Sequence, residues 1–119
     1  MASFRRILLV DDHADSLMAL QVFLEMHGYE IRQALTHPQA IQLAEQWQPQ
    51  VVFFDLNLRG ALDGLALGQQ LRQLVPQARL VILSGSVREE VLHQLESDQF
   101  DGFLSKPVDL NELLTYCQG

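Results

Sequence analysis

Cysteine occurs once in 119 residues, as Cys117, so an internal disulfide and a thiolate metal cage are both excluded. A lone cysteine among apolar residues near the chain end reads as a small side chain on a terminal helix. Cations are scarce too: 8 Lys and Arg stand against 15 Asp and Glu, a formal net charge of −7. That field repels phosphate backbones and anionic lipid headgroups, so neither nucleic acid nor a membrane is expected as a direct partner. No apolar run approaches the roughly 20 residues that cross a bilayer. The opening Met-Ala-Ser-Phe-Arg-Arg leads into a short strand rather than a secretion signal, which makes a cytoplasmic protein the expectation. Repeats and low-complexity tracts are also missing. What is present is apolar: 48% of the residues are hydrophobic, enough in 13.5 kDa for one core, and a single domain over residues 1–119 is expected.

The apolar residues fall in four short runs, each stopped by residues that carry chemistry. Ile7-Leu-Leu-Val10 ends in Asp11-Asp12, Val51-Val-Phe-Phe54 in Asp55, Leu80-Val-Ile-Leu83 in Ser84-Gly85, and Phe103-Leu104 in Ser105-Lys106-Pro107. Continuous rather than alternating runs read as strands of a parallel sheet buried on both faces. Ligand sites of open α/β sheets lie outside the carboxyl ends of the strands, so these stops converge in space.

Helical segments alternate with the runs at the spacing of βα units, and five units fit a doubly wound α/β sheet. Arg6 to Val10 is the first strand. A first helix runs from near Asp15 to His27, with a stripe of Leu17, Leu20, Val22, Phe23 and Leu24 and Gly28 as its stop. Tyr29 to Ala34 is a weaker second strand. Thr36 is the N-cap of a second helix with Pro38 in its first turn, and Ala40, Ile41, Leu43, Ala44 and Trp47 precede the stop at Pro49. Leu65, Leu67, Leu71 and Leu74 mark a third helix before Pro76. Ser86-Val-Arg-Glu89 has capping-box spacing for a fourth, and Asp109-Leu-Asn-Glu112 opens a fifth through Leu113, Leu114 and Tyr116.

Two adjacent carboxylates, Asp11 and Asp12, repel each other and gain from a hard cation with oxygen ligands. Mg²⁺ suits them, because it takes one or two carboxylates plus phosphate oxygens; Asp12 and Asp55 with a backbone carbonyl near Asn57 make a half-site that a phosphoryl group completes. The plainer alternative is an acidic turn with a helix N-cap. Asp55, directly after four apolar residues, is costly to bury without a partner, and Lys106 supplies one. A carboxylate beside a cation can attack a phosphoryl group in line, while the ammonium neutralises the transferring oxygens. A plain buried ion pair is the competing reading. The Ser84 hydroxyl is placed to bond a phosphoryl oxygen on Asp55, although serine after a strand is commonly a turn residue. Lys106-Pro107 is a candidate cis peptide that would set the lysine's direction, against a base rate favouring trans.

The acidic pair, Asp55, Ser84 and Lys106-Pro107, in this order at the strand ends and over essentially the whole chain, resemble the receiver domain of two-component response regulators. The resemblance implies a flavodoxin-like sheet of order 2-1-3-4-5 with five helices on both faces. It implies that Asp55 accepts a phosphoryl group from a phosphohistidine on a histidine kinase or phosphotransfer protein. Asp11, Asp12, Asp55 and the Asn57 carbonyl would hold Mg²⁺, and Ser84 and Lys106 would contact the phosphate. Receivers couple that hydroxyl to an aromatic on the fifth strand, a place held here by Phe103, whose lack of a hydroxyl leaves its position to packing; a permanent core residue is the alternative. Phosphorylation adds about −1.5 to −2 charges, which draws the Ser84 loop inward and biases the face of the fourth helix, fifth strand and fifth helix toward a downstream protein target. The implied protein is a signalling phosphoacceptor rather than an enzyme, with at most slow self-catalysed phosphotransfer and autodephosphorylation. It stands alone or forms the receiver part of a larger protein.

Some residues depart from the family pattern. Arg59 stands where many receivers have proline, and Gly64 falls one place later than usual, giving the loop after Asp55 one extra residue. His13 follows the acidic pair, either tuning the metal site and phosphate lifetime or simply facing solvent from the loop. Ser97-Asp-Gln-Phe-Asp-Gly102 replaces a small-residue turn, with no function assigned to it. Three rival readings remain. A haloacid-dehalogenase-like phosphatase needs Asp-x-Asp after the first strand and a cap; Asp11-Asp12-His13-Ala14 lacks the motif. A flavodoxin-like flavin binder needs a Ser/Thr/Gly-rich phosphate cradle where the anionic pair stands. A pseudo-receiver would serve only as an interaction module, and the full set of site residues argues against it.

Overall fold

The apolar runs form the centre of one parallel sheet. β1 (Arg6–Val10), β2 (Glu30–Ala34), β3 (Val51–Asp55), β4 (Arg79–Ser84) and β5 (Gly102–Ser105) lie in the order β2-β1-β3-β4-β5, in a computed structural model that describes residues 6–55, 63–85 and 100–118. Every neighbouring pair is parallel, with Val10 beside Phe54 and Asp55 beside Leu83. The strands read as unbroken apolar runs because both sheet faces are covered. Leu8, Val10, Val52, Phe54, Leu80 and Ile82 pack on one side with Ala40, Ala44, Leu67 and Leu71. Ile7, Leu9, Val51, Phe53, Val81, Leu83 and Leu104 pack on the other with Leu17, Leu20, Leu24, Leu113 and Cys117. Each fully buried Leu or Phe side chain contributes roughly 1.5–3 kcal/mol, so this double layer sets which strand ends meet.

Four helices are described: α1 (Ala14–Met26), α2 (His37–Trp47), α3 (Asp63–Leu74) and α4 (Leu110–Cys117), the last being the fifth in the sequence count. The helix expected to open at Ser86, Asn57, and the Asp55 loop up to residue 62 lie outside the described residues. Thr36 Oγ1 accepts from the Gln39 amide at the start of α2, and Asp109 accepts from the Asn111 and Glu112 amides at the start of α4, as their cap signals predict. α1 closes at Gly28, whose φ of +89° lets the Gly28 and Tyr29 amides reach the Glu25 and Leu24 carbonyls. One expectation needs correcting: Val22 is 48% exposed. It lies two residues from Leu20 and Leu24, and at 100° per residue that turns it away from the face they bury.

The Ser97–Gly102 stretch acquires a structural account through its described residues. Phe100 packs 5.9 Å from the Phe54 ring. A Cβ on Gly68 of α3 would run into the Phe100 ring, so only glycine admits this packing. Asp101 Oδ2 accepts from the Leu80 amide at 2.8 Å and from Arg72 Nη2 at 2.9 Å, tying the start of β4 to α3.

Candidate functional site

The carboxyl edge of the sheet gathers the residues that stop the strands. Two backbone bonds place them: the Asp11 amide donates to the Ala34 carbonyl at 3.1 Å, and the Lys106 amide donates to the Ser84 carbonyl at 2.7 Å. Each continues a strand ladder one residue past its formal end, so Asp11 and Lys106 inherit the sheet's rigidity. Lys106 Nζ then bridges two acids, donating to Asp11 Oδ2 at 2.7 Å and to Asp55 Oδ2 at 3.0 Å. Sequence reasoning paired Lys106 with Asp55; the shorter contact to Asp11 is new, because only the folded sheet sets the two acids side by side. Asp11, Asp55 and Ser84 are almost wholly buried. The Lys106-Pro107 peptide is cis.

Burial by itself would raise the Asp11 carboxyl, but the Lys106 hydrogen bond, the His13 amide and the Lys106 charge together hold it below the usual carboxylate range. For Lys106, burial works to lower the ammonium, yet hydrogen bonds and charge from Asp11 and Asp55 hold it above the ordinary lysine value. The pair is thus locked in its charged form across the neutral range.

Neither acid of the pair caps α1. Its N-cap is His13, whose side chain makes no capping bond. The His13 ring is 70% exposed, as expected of a loop histidine, but its Nδ1 lies 3.2 Å from Asp11 Oδ1 and 2.9 Å from Asp12 Oδ1. Asp12 Oδ1 is buried, and for all its nearness to His13 it accepts no hydrogen bond of acceptable geometry among the described residues. Oxygens of Asp11, Asp12 and Asp55 and a His13 ring nitrogen all lie within 4.8 Å of one another. A buried oxygen lacking a donor, within a cluster of hard oxygen ligands, fits a small divalent cation. Phe103 is half-buried against the core layer that holds Phe54 and Ile82.

A family model described as the response regulator receiver domain matches residues 7–118. The chain belongs to that family. Receivers are signalling phosphoacceptors, not enzymes in the ordinary sense, and they bind Mg²⁺ at an acidic pocket of this kind. This receiver is 31% identical over 111 residues to the DNA-binding dual master transcriptional regulator RpaA of Synechocystis, covering 92% of this chain and 46% of that protein. It is 29% identical to Protein PilH of Pseudomonas aeruginosa, covering 92% of this chain and 91% of the relative. The receiver spans about half the length of the first curated relatives it matches. Among solved structures, a Burkholderia pseudomallei response regulator with a phosphorylated aspartic acid, calcium ion and citrate superposes with a TM-score of 0.87 at 32% identity, covering 96% of this chain and 66% of that one. Among the described residues no helix is long and apolar enough to cross a membrane.

Proposed function

We propose that Asp55 is the phosphoacceptor of this receiver, taking a phosphoryl group from a phosphohistidine on a histidine kinase or phosphotransfer protein. The observation that carries the reading is Lys106 Nζ held between Asp11 and Asp55, at 2.7 and 3.0 Å, beside a buried Asp12 oxygen that has no donor among the described residues. Asp11, Asp12 and Asp55, with the backbone carbonyl of Asn57, would hold Mg²⁺, and the ion when bound would neutralise charge on the transferring oxygens. An Asp55 carboxylate oxygen attacks the phosphorus in line as the bond to the donor's imidazole nitrogen breaks, and the imidazole departs carrying that electron pair. Lys106 shifts its contact from carboxylate to phosphoryl oxygen, and the Ser84 hydroxyl donates to another. The same groups give at most slow self-catalysed transfer and hydrolysis. The related Burkholderia regulator, solved with a phosphorylated aspartic acid and a calcium ion, supports this chemistry.

The new charge draws the Ser84 loop inward, and Phe103 follows by packing alone. That movement biases the surface of the expected fourth helix, β5 and α4 toward a downstream protein target. The domain occupies residues 1–119 and acts in the cytoplasm, as a single-domain regulator or as the receiver of a larger protein. Neither nucleic acid nor a membrane is its direct partner.

Incubation with Mg²⁺ and acetyl phosphate, read by intact mass, is expected to add one labile phosphoryl group that chelation and Asp55→Asn both abolish. Label on a histidine, or label persisting in Asp55→Asn, would remove Asp55 from the role.

A further inference from the structure

We propose that His13 supplies a nitrogen ligand to the cation of this pocket, so that the site favours first-row transition ions such as Mn²⁺ over Mg²⁺. The inference rests on reading Asp11, Asp12 and Asp55 as the metal site, and it extends the donor set by a residue of different chemistry. Ligands about 2.1 Å from an octahedral ion stand about 3 Å apart along an edge and about 4.2 Å apart across it. His13 Nδ1 lies 2.9 Å from Asp12 Oδ1 and 3.2 Å from Asp11 Oδ1, and the cluster including Asp55 spans no more than 4.8 Å. The ring nitrogen therefore stands at ligand spacing from the carboxylates.

Its backbone holds it there. His13 is the N-cap of α1, and its amide donates to Asp11 Oδ1 at 3.0 Å, which keeps the ring on the metal side of the turn. The ring is 70% exposed and belongs to neither core layer, so turning its lone pair toward an ion disturbs no packing and exchanges only its 3.2 Å hydrogen bond with Asp11 Oδ1 for the metal. Oxygen-only sites suit Mg²⁺, whereas an imidazole raises affinity along the transition series and leaves Mg²⁺ behind. A pocket of three carboxylates and one imidazole is a mixed site.

The test is a Mn²⁺ titration followed by electron paramagnetic resonance, with Mg²⁺ as competitor, on wild type, His13→Ala and Asp12→Asn. Pulsed spectra of the Mn²⁺-loaded wild type should show a directly bound nitrogen, shifted by ¹⁵N-histidine labelling and lost in His13→Ala. The same variant should lower the preference for Mn²⁺ over Mg²⁺ about tenfold. Because His13→Ala keeps the three carboxylates, it should still bind Mg²⁺, whereas Asp12→Asn should weaken both ions. No nitrogen coupling in wild type, or an unchanged Mn²⁺ to Mg²⁺ ratio in His13→Ala, overturns the proposal and leaves the carboxylate site standing. Failure of wild type to bind either ion overturns both.

Discussion

The two ends of the sheet carry charged side chains in opposite arrangements. At the amino end the charges are matched, chiefly to backbone. Arg6 donates to the Gln48 carbonyl at 3.2 and 3.1 Å, and Arg79 to the Tyr116 and Gln118 carbonyls at 2.7 and 3.0 Å. Arg72 donates to the Pro76 and Ala78 carbonyls and pairs with Asp101 at 2.9 Å, while Asp101 also accepts from the Leu80 amide. Arg79 and Arg72 both serve carbonyls at or just past helix C-termini, where positive charge complements the dipole. At the carboxyl end the charges face one another: Asp11, Asp12 and Asp55 against Lys106 leave a formal excess of two negative charges, three minus one. A cavity of about 420 Å³ lies at the amino end, lined in part by Arg6, Pro49, Gln50 and Pro76, away from this cluster. Where charges are matched they stabilise the fold; where they are mismatched they leave negative charge that a bound cation can balance.

The comparison breaks first at Lys106. Removing it leaves two buried acids facing each other, so Lys106→Ala should cost the metal-free protein about 2–3 kcal/mol, less than the ~3–5 for a fully buried pair because the lysine is 26% exposed. Mg²⁺ should restore part of the loss. Urea unfolding in chelator and in Mg²⁺ measures both, and equal stability to wild type in chelator would mean the lysine is not what balances the acids.

At the other end, Asp101→Ala withdraws the acceptor from the Leu80 amide and should cost about 1–2 kcal/mol. Phosphorylation of Asp55 by acetyl phosphate should continue at the wild-type rate. A large drop in that rate would show the two ends to be coupled.

Asp12→Asn should have the opposite sign: without divalent ions it relieves repulsion and raises stability by on the order of 1 kcal/mol. Its gain from added Mg²⁺, about 2.7 kcal/mol in wild type at a hundredfold excess over Kd, should shrink as its affinity falls. Thermal melts with and without Mg²⁺ distinguish the two effects, and a destabilised variant in chelator would contradict the mismatch.

Titration sharpens the contrast further. The depressed Asp11 carboxyl contributes stability that is present above its unfolded pKa of about 3.9 and lost as pH falls through the lower folded value. The raised Lys106 ammonium contributes below about pH 10.4 and loses that contribution as pH rises through its higher folded value. Urea midpoints in chelator should therefore lose this contribution only in strong acid and strong alkali, and Asp11→Asn should flatten the acid limb.

The smallest effect belongs to Cys117. Burial pushes its thiol up to about 12 despite the nearby Arg79 charge, and its Sγ contacts the Leu113 carbonyl at 3.4 Å. Alkylation at pH 8 should be slow in the native protein and fast in urea; rapid native labelling would show that α4 does not cover the sheet as described.

Much of the architecture was legible because it depends on patterns local to the chain. Runs such as Val51–Phe54 carry the signature of a strand buried on both faces, and Thr36 and Asp109 each cap the helix that follows them. Val22 was misassigned to the buried stripe of α1 because apolar character along one helix does not say which face meets the sheet. The Lys106 contact to Asp11 was missed for a related reason. Sequence places a lysine beyond one strand and an acid beyond another, but their meeting over the two strands between them follows only from sheet order and register.

By itself, then, the chain determined its strands, its helix caps and the kinds of chemistry stacked at the strand ends, since each follows from hydrophobic period and local hydrogen bonding. Tertiary structure alone decided that Lys106 is shared by two acids, that the His13 ring lies across the acidic pair, and that Phe100 fills the space over Gly68. Those are relations between residues distant in sequence, or between a ring and a turn, and they depend on distances of a few ångströms that no run of letters encodes.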